Sequence, residues 1–171
     1  MDSDRILIYK MRQGDDSAWD AFIRKYYPDM LKYCYFHSQD RELAEDLTQE
    51  VFLKFFSTLG SYRHQGKAKN YLYTIAGNLC RDQYGKRILL PLEEALGQGS
   101  DEREALDERL ELETAIRKLP EEFREVVVLH YYQELKLTEI AQVMKTGLPL
   151  VEYRLMRAKE LLRKELDHGA E

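Results

Sequence analysis

The chain has 171 residues, 44% of them apolar and 33% charged, with a formal net charge of −5 at pH 7. At about 100–200 residues per domain it forms one domain or two small ones, and its Leu, Ile, Val, Phe and Tyr suffice for packed cores, which excludes a chain dominated by disorder. No run approaches the roughly 18 apolar residues of a membrane span. The start, Met1-Asp2-Ser3-Asp4-Arg5, is acidic where a signal peptide carries a basic flank, so no membrane insertion and a cytoplasmic location are expected.

In chain order the pattern is helical throughout. A first helix runs near Asp4 to Gln13, and Gly14 stops it as a left-handed cap. Asp15 and Asp16 restart the chain with Trp19, Phe22, Ile23 and Tyr26 on one stripe, which Pro28 is expected to break or kink. Met30 to Phe36 continues with aromatic density. Asp40 suits the N-cap of a helix whose Leu43, Leu47, Val51 and Phe55 recur at every fourth position, with Asp46, Gln49 and Glu50 on the opposite side. After a loop from Gly60 to Gly66, Leu72, Ile75, Ala76 and Leu79 fix the buried face of the next helix and turn Asn70, Thr74, Asn78 and Arg81 outward.

Residues 88 to about 109 hold Pro91, Gly97, Gly99 and Ser100 amid acidic residues and read as a linker. A helix then leads from Leu110 to Leu119. Pro120 suits the first turn of the next, which Phe123, Val127, His130 and Tyr131 mark with one apolar stripe; His130 there reads as a packed, hydrogen-bonded core residue. Thr138 can cap a short helix through Met144. A tight turn at Lys145-Thr146-Gly147 precedes a long helix with Pro149 in its first turn and Arg154, Arg157, Lys159, Arg163 and Lys164 along it. That is the outline of a helix-turn-helix with a basic second helix, a layout that places side chains in a DNA major groove. The expected fold is therefore all-α: two small helical domains, residues 1–88 and 110–171, joined by an acidic flexible linker at 89–109, the second domain a helix-turn-helix.

The net negative charge conceals this pattern. Residues 1–90 carry 14 Lys/Arg against 12 Asp/Glu, residues 91–113 carry 2 against 9, and residues 114–171 carry 10 against 10, so the acidity sits in the linker. Residues 63–87 hold 6 basic and 1 acidic residue, and residues 145–164 hold 6 and 2. Such local patches govern phosphate attraction at a Debye length of about 8 Å. Cys34 and Cys80 lie 46 residues apart without a CxxC and read as buried thiols. Cys34 and His37 have metal-ligand spacing but supply only two ligands. His64, His130 and His168 have no nucleophile pattern, and no Gly-rich phosphate loop occurs. No enzyme activity, catalytic residue, metal or cofactor is expected.

The stretch Ala44-Glu45-Asp46-Leu47-Thr48-Gln49-Glu50-Val51-Phe52 resembles the polymerase-binding helix of bacterial sigma factors. Tyr71-Leu72-Tyr73-Thr74-Ile75-Ala76-Gly77-Asn78-Leu79-Cys80-Arg81-Asp82 is similar to their −10-reading helix. Leu119-Pro120-Glu121-Glu122-Phe123-Arg124-Glu125-Val126, with Glu139-Ile140-Ala141 and Arg154-Leu155-Met156-Arg157-Ala158-Lys159, resembles their −35-reading domain. Three motifs in this order, over roughly residues 5–87 and 110–166, are far more specific than a lone helix-turn-helix, and the short chain points to the extracytoplasmic-function (ECF) group. The chain departs from the family in having Tyr71 where Trp is usual, and Gly147-Leu148-Pro149-Leu150-Val151-Glu152-Tyr153 in place of the commoner Ser-x-Gly-Thr-Val-Lys-Ser.

The resemblance implies core RNA polymerase, promoter DNA and an anti-sigma factor, membrane-anchored or soluble, as partners. Asp46, Gln49, Glu50 and Leu53 are the expected polymerase-binding residues. Tyr62, Arg63, Lys67, Lys69, Asn70, Tyr73, Thr74, Asn78, Arg81 and Lys86 are expected on single-stranded −10 DNA, where cations hold phosphates and aromatic faces stack bases; Tyr71 or Tyr73 should nonetheless be at least half buried. Leu150, Glu152, Tyr153, Arg154 and Arg157 are expected at the −35 element, Arg154 forking onto guanine and Arg157 on backbone. The alternatives are a stand-alone helix-turn-helix regulator, which needs only the last 60 or so residues, and an interaction protein that does not touch DNA.

Overall fold

In a computed structural model the chain is described over residues 2–84 and 103–169, and it divides into two compact units, Met1–Ala95 and Leu96–Glu171. The described residues form helices and turns without a strand. None of the described helices is long and apolar enough to cross a membrane.

In the first unit, α1 (Ser3–Arg12) starts where the Asp2 carboxylate accepts the Asp4 amide at 3.0 Å. It ends on Gly14 at φ +82°, whose N–H bonds the Met11 carbonyl while that of Asp15 bonds the Lys10 carbonyl, so two otherwise orphaned acceptors are satisfied. Asp15 then caps α2 (Asp16–Ser38) through the amides of Ser17 and Ala18. Pro28 does not break α2. The carbonyl it deprives of a donor belongs to the exposed Arg24, where water can serve it, and the buried Phe22, Tyr26, Met30 and Tyr33 hold the helix on both sides of the proline. Asp40 caps α3 (Arg41–Thr58) by accepting the Leu43 amide at 3.2 Å.

Helices α2, α3 and α4 (Ala68–Tyr84) pack on one another, and α1 lies on α2. Leu47, Val51 and Phe55 of α3 and Leu72, Ile75, Ala76 and Leu79 of α4 are buried in this core, with Phe22 stacked on Phe55 at 4.9 Å. Leu43, at the start of the stripe, is only half buried. The buried Cys34 and Cys80, distant in sequence, are hydrogen-bonded to each other. That bond first, and a second with Thr48, holds the Cys34 thiol below its ordinary range against the opposing effect of burial. Asp4 is 3% exposed and joins three helices: it takes Lys25 Nζ at 2.6 Å, the Tyr26 hydroxyl, and the amide of Ala68 at 3.3 Å.

In the second unit, α5 (Arg103–Lys118), α6 (Glu121–Val127), a π-helical segment (Val128–Tyr132), α7 (Leu137–Val143) and α8 (Leu148–Gly169) follow in order, with α5, α6 and α7 each packed on α8. Residues 103–109, expected in the linker, are helical. Their charged composition suggests a solvated coil, but Arg, Glu, Ala and Leu are strong helix formers and the segment continues directly into the half-buried Leu110. The rest of the expected linker, 89–102, lies outside the described residues. Pro120 is the N-cap of α6, one position ahead of its first turn.

Tyr131 is exposed instead of completing the apolar stripe. The chain widens here, with the Gln133 N–H bonded to the Val128 carbonyl at 3.1 Å, and this five-residue step rotates Tyr131 out of phase with Phe123 and Val127. His130 Nδ1 lies 2.9 Å from the Leu135 carbonyl, the hydrogen bond expected of it, although the residue is half buried and not in the core. Thr138 does not cap α7; Lys136 occupies that position without a side-chain bond, and Thr138 is exposed one residue inside the helix.

The turn between α7 and α8 takes its left-handed residue from Lys145 at φ +52°, not from Gly147. The N–H groups of Lys145 and Thr146 bond the carbonyls of Gln142 and Ala141, the same reciprocal arrangement that closes α1 on a glycine. A side chain in this conformation is strained by about 1–2 kcal/mol, and the extra freedom of glycine in the unfolded chain returns about 0.5–1. Lys145→Gly is therefore expected to stabilise the second unit by about 0.5–1 kcal/mol, read as a higher urea midpoint at unchanged slope. A lower midpoint would show that Lys145 is unstrained.

Candidate functional site

Three surfaces hold the residues singled out by sequence. On α3, Asp46, Gln49, Glu50 and Leu53 are all exposed and fall at i, i+3, i+4 and i+7, one face opposite the buried Leu47, Val51 and Phe55. Leu53 is 64% exposed, a large apolar side chain standing among two carboxylates and an amide. Arg41 pairs with Glu45 at 3.2 Å, on the preceding turn, leaving the Asp46 and Glu50 charges to solvent. The face can take a partner that offers cations around an apolar spot.

The second surface is the loop between α3 and α4 with the outer side of α4. Arg12 of α1 clamps the loop: its Nε and Nη2 each donate to the Leu59 carbonyl at 3.1 Å, and Nη2 also donates to the Tyr62 carbonyl. His64 bonds the Tyr62 hydroxyl at 3.2 Å through Nδ1 and the Asp2 carboxylate through Nε2, and this last bond holds the Asp2 carboxyl below its ordinary range. No sequence pattern foretold the Arg12 clamp, which spans 47 residues to Leu59.

Arg63 and Lys67 are exposed beside this pinned loop. Tyr62 is half buried, 4.9 Å from the half-exposed Tyr71 ring. Tyr73 departs from the expectation that it meets DNA. It is fully buried, its ring 5.4 Å from that of Tyr33, and burial pushes its phenol far above the usual range, so it packs the core and offers no face to a base. Its position one residue past Leu72 puts it on the inward side of α4 once the buried face widens. Lys69 pairs with Asp29 at 3.1 Å and sits 5.7 Å over the Tyr73 ring, so its charge is partly committed within the fold.

Thr74 donates its hydroxyl to the Asn70 carbonyl at 3.2 Å. Asn70 is half buried, with its Oδ1 lacking a donor among the described residues. Asn78 and Arg81 are exposed on the same side, and Arg81 Nη2 donates to Asn78 Oδ1 at 2.6 Å, which fixes the orientation of the Asn78 amide. Lys86 lies outside the described residues.

The third surface is the first half of α8. Val151, Leu155 and Ala158 are buried and Leu162 is half buried. Tyr153 stands opposite that buried side, flanked by Met156 and Arg157, with Leu150, Glu152 and Arg154 toward the edges. Met156 is 52% exposed and was not anticipated, although its place three residues beyond Tyr153 could have revealed it. Arg154 has only 18% of its side chain exposed and leans on Glu122 of α6 at 3.8 Å. Arg157 pairs with Glu160 at 2.6 Å. Among the described residues no group of three or more His, Cys, Asp or Glu could hold a metal.

Comparison with known proteins follows the same division. Residues 22–87 match the family Sigma-70 region 2, and residues 109–162 match Sigma-70, region 4. The ECF RNA polymerase sigma factor SigW of Bacillus subtilis is 29% identical over 93% of this chain and 94% of its own length. In fold the chain is similar to CnrH, solved in complex with the cytosolic domain of CnrY, with a TM-score of 0.79, 23% identity and coverage of 98% of this chain and 99% of that one. It is also similar to the sigma factor RpoE of Bartonella quintana, solved with the anti-sigma factor NepR, with a TM-score of 0.71, 19% identity and coverage of 87% and 96%.

Proposed function

The chain belongs to the ECF group of RNA polymerase sigma factors, and from that premise we propose how its surfaces share the work of binding core polymerase and reading promoter −10 and −35 elements. The α3 face of Asp46, Gln49, Glu50 and Leu53 meets a basic surface of core polymerase. The pinned loop and the outer side of α4 hold the displaced strand at the −10 element, with Arg63, Lys67 and Arg81 on phosphates, Tyr62 against a base and the Asn70, Thr74 and Asn78 row along it. The first half of α8 enters the major groove at the −35 element.

The observation that carries this reading is the exposed α3 face in the same chain as the helix-turn-helix. A stand-alone regulator has no use for a polymerase-facing helix. The chain acts as an initiation factor in the cytoplasm, where polymerase and promoters are, and the polymerase supplies the chemistry. A further part of the proposal is an anti-sigma factor, membrane-anchored or soluble, that covers one of these surfaces, as suggested by the solved pairing of RpoE with NepR. The test is run-off transcription with purified core polymerase on fragmented DNA of the source bacterium. Discrete transcripts that require this chain support the reading, and transcripts that do not depend on it overturn it.

The Asn78 amide can pair with an unstacked base edge, and Arg81 fixes its orientation. Asn78→Ala is expected to impair open-complex formation on duplex promoters by about tenfold, the worth of one good base contact. A pre-melted bubble at the −10 element should restore part of the loss. A defect that the bubble leaves untouched would assign Asn78 a structural role instead.

A further inference from the structure

We propose that Leu150 and Tyr153, with Met156 next along the helix, read thymine C5-methyl groups at the −35 element, so that apolar contact and not an arginine fork sets this chain's promoter preference. The inference rests on the α8 assignment above and names its substrate chemistry. The residues at the N-terminal end of a recognition helix are those that reach base edges, and here they are Leu150 and Tyr153, at 40% and 50% exposure. Leu and Met have no hydrogen-bond donor to offer. Of the four bases only thymine presents a methyl group in the major groove.

The cations that could read guanine are drawn away. Arg154 is mostly covered beside Glu122, and Arg157 lies against Glu160. Lys159 sits 5.9 Å over the Tyr131 ring. Tyr153, opposite the buried Val151 and Leu155, is the side chain that points most directly away from the unit. Leu150, Tyr153 and Met156 are spaced three residues apart, about 9 Å in all along the axis, which spans between two and three base steps of about 3.4 Å. The exposed Glu152 beside them cannot attract phosphate, and it can accept from cytosine N4, which favours a cytosine next to the thymines.

The test uses the full chain bound to core polymerase. Promoter duplexes are enriched from a library randomised at the −35 element, and each thymine there is then replaced singly by deoxyuridine, which removes only the methyl group. At one or two positions the wild-type complex should bind uracil about three- to fivefold more weakly than thymine, the size expected for one buried methyl. Tyr153→Phe should keep this ratio, while Tyr153→Ala or Leu150→Ala should bring it to about one at the position each reads. Equal binding of thymine and uracil at every −35 position by the wild type, or an enriched element without thymine on either strand, would overturn the inference and leave the −35 assignment standing. Failure to enrich any −35 sequence would overturn that assignment and the inference with it.

Discussion

Reversing two charges on α3, Asp46→Lys together with Glu50→Lys, is expected to abolish association with core polymerase and leave the fold unchanged. Both side chains are exposed on the face opposite Leu47, Val51 and Phe55, and Lys has nearly the helix propensity of Glu, so helicity and thermal midpoint should hold within about 0.5 kcal/mol. Binding is another matter. Each reversal replaces an attraction to a basic partner surface by like-charge contact, which costs several kcal/mol at an interface, so two of them should weaken the complex by roughly a thousandfold or more. The measurement is co-purification with core polymerase and titration of a fluorescent label, with far-UV circular dichroism as the control for folding. Normal co-purification of a folded double variant would remove the α3 face from the polymerase contact.

The α3 face was legible because an apolar side chain at every fourth position fixes which side of a helix is buried, and the acidic residues then have only one place to go. The same reasoning placed Leu72, Ile75, Ala76 and Leu79 of α4 inward. It failed where three-dimensional context overrides local chemistry. Tyr73 is amphipathic and fits a stacking platform or a core, and only the neighbouring Tyr33 decides between them. Pro28 was expected to break or kink α2, and packing on both sides of it carries the helix through without a break. Tyr131 left its stripe because one wide turn shifted the phase, and periodicity assumes a constant turn. Arg154 lies at the edge of the outer face of α8, and its reach toward a base is limited by Glu122, thirty-two positions earlier in the chain. Position on a helix is readable from spacing; what a long side chain bonds to is not.

The largest stability effect is expected at Asp4, which no spacing marked as special. Its carboxylate is 3% exposed and gathers Lys25 from α2, the Tyr26 hydroxyl and the amide of Ala68, the first residue of α4. Burial first, and then the bond to Asp4, push the Tyr26 phenol far above its ordinary range, so it stays a donor to this carboxylate at any pH the protein meets. Asp4→Ala strands two buried donors, Tyr26 Oη and the Ala68 N–H, each costing about 1–3 kcal/mol when left without an acceptor. Lys25 adds little, because its side chain is 39% exposed and water can replace the lost partner. The expected loss is about 2–6 kcal/mol for the first unit, seen as an early urea transition. Tyr26 and Ala68 both bond Oδ2, so Asp4→Asn, whose amide oxygen can keep that position, should cost well under half as much. The consequence for function runs through α4: with Ala68 released, the loop that Arg12 clamps loses its bond to the start of that helix, so −10 opening should fail under conditions in which polymerase binding through α3 persists. A loss below about 1 kcal/mol for Asp4→Ala would mean that desolvating the carboxylate cancels what its bonds contribute, and that α4 is held in place by its apolar face.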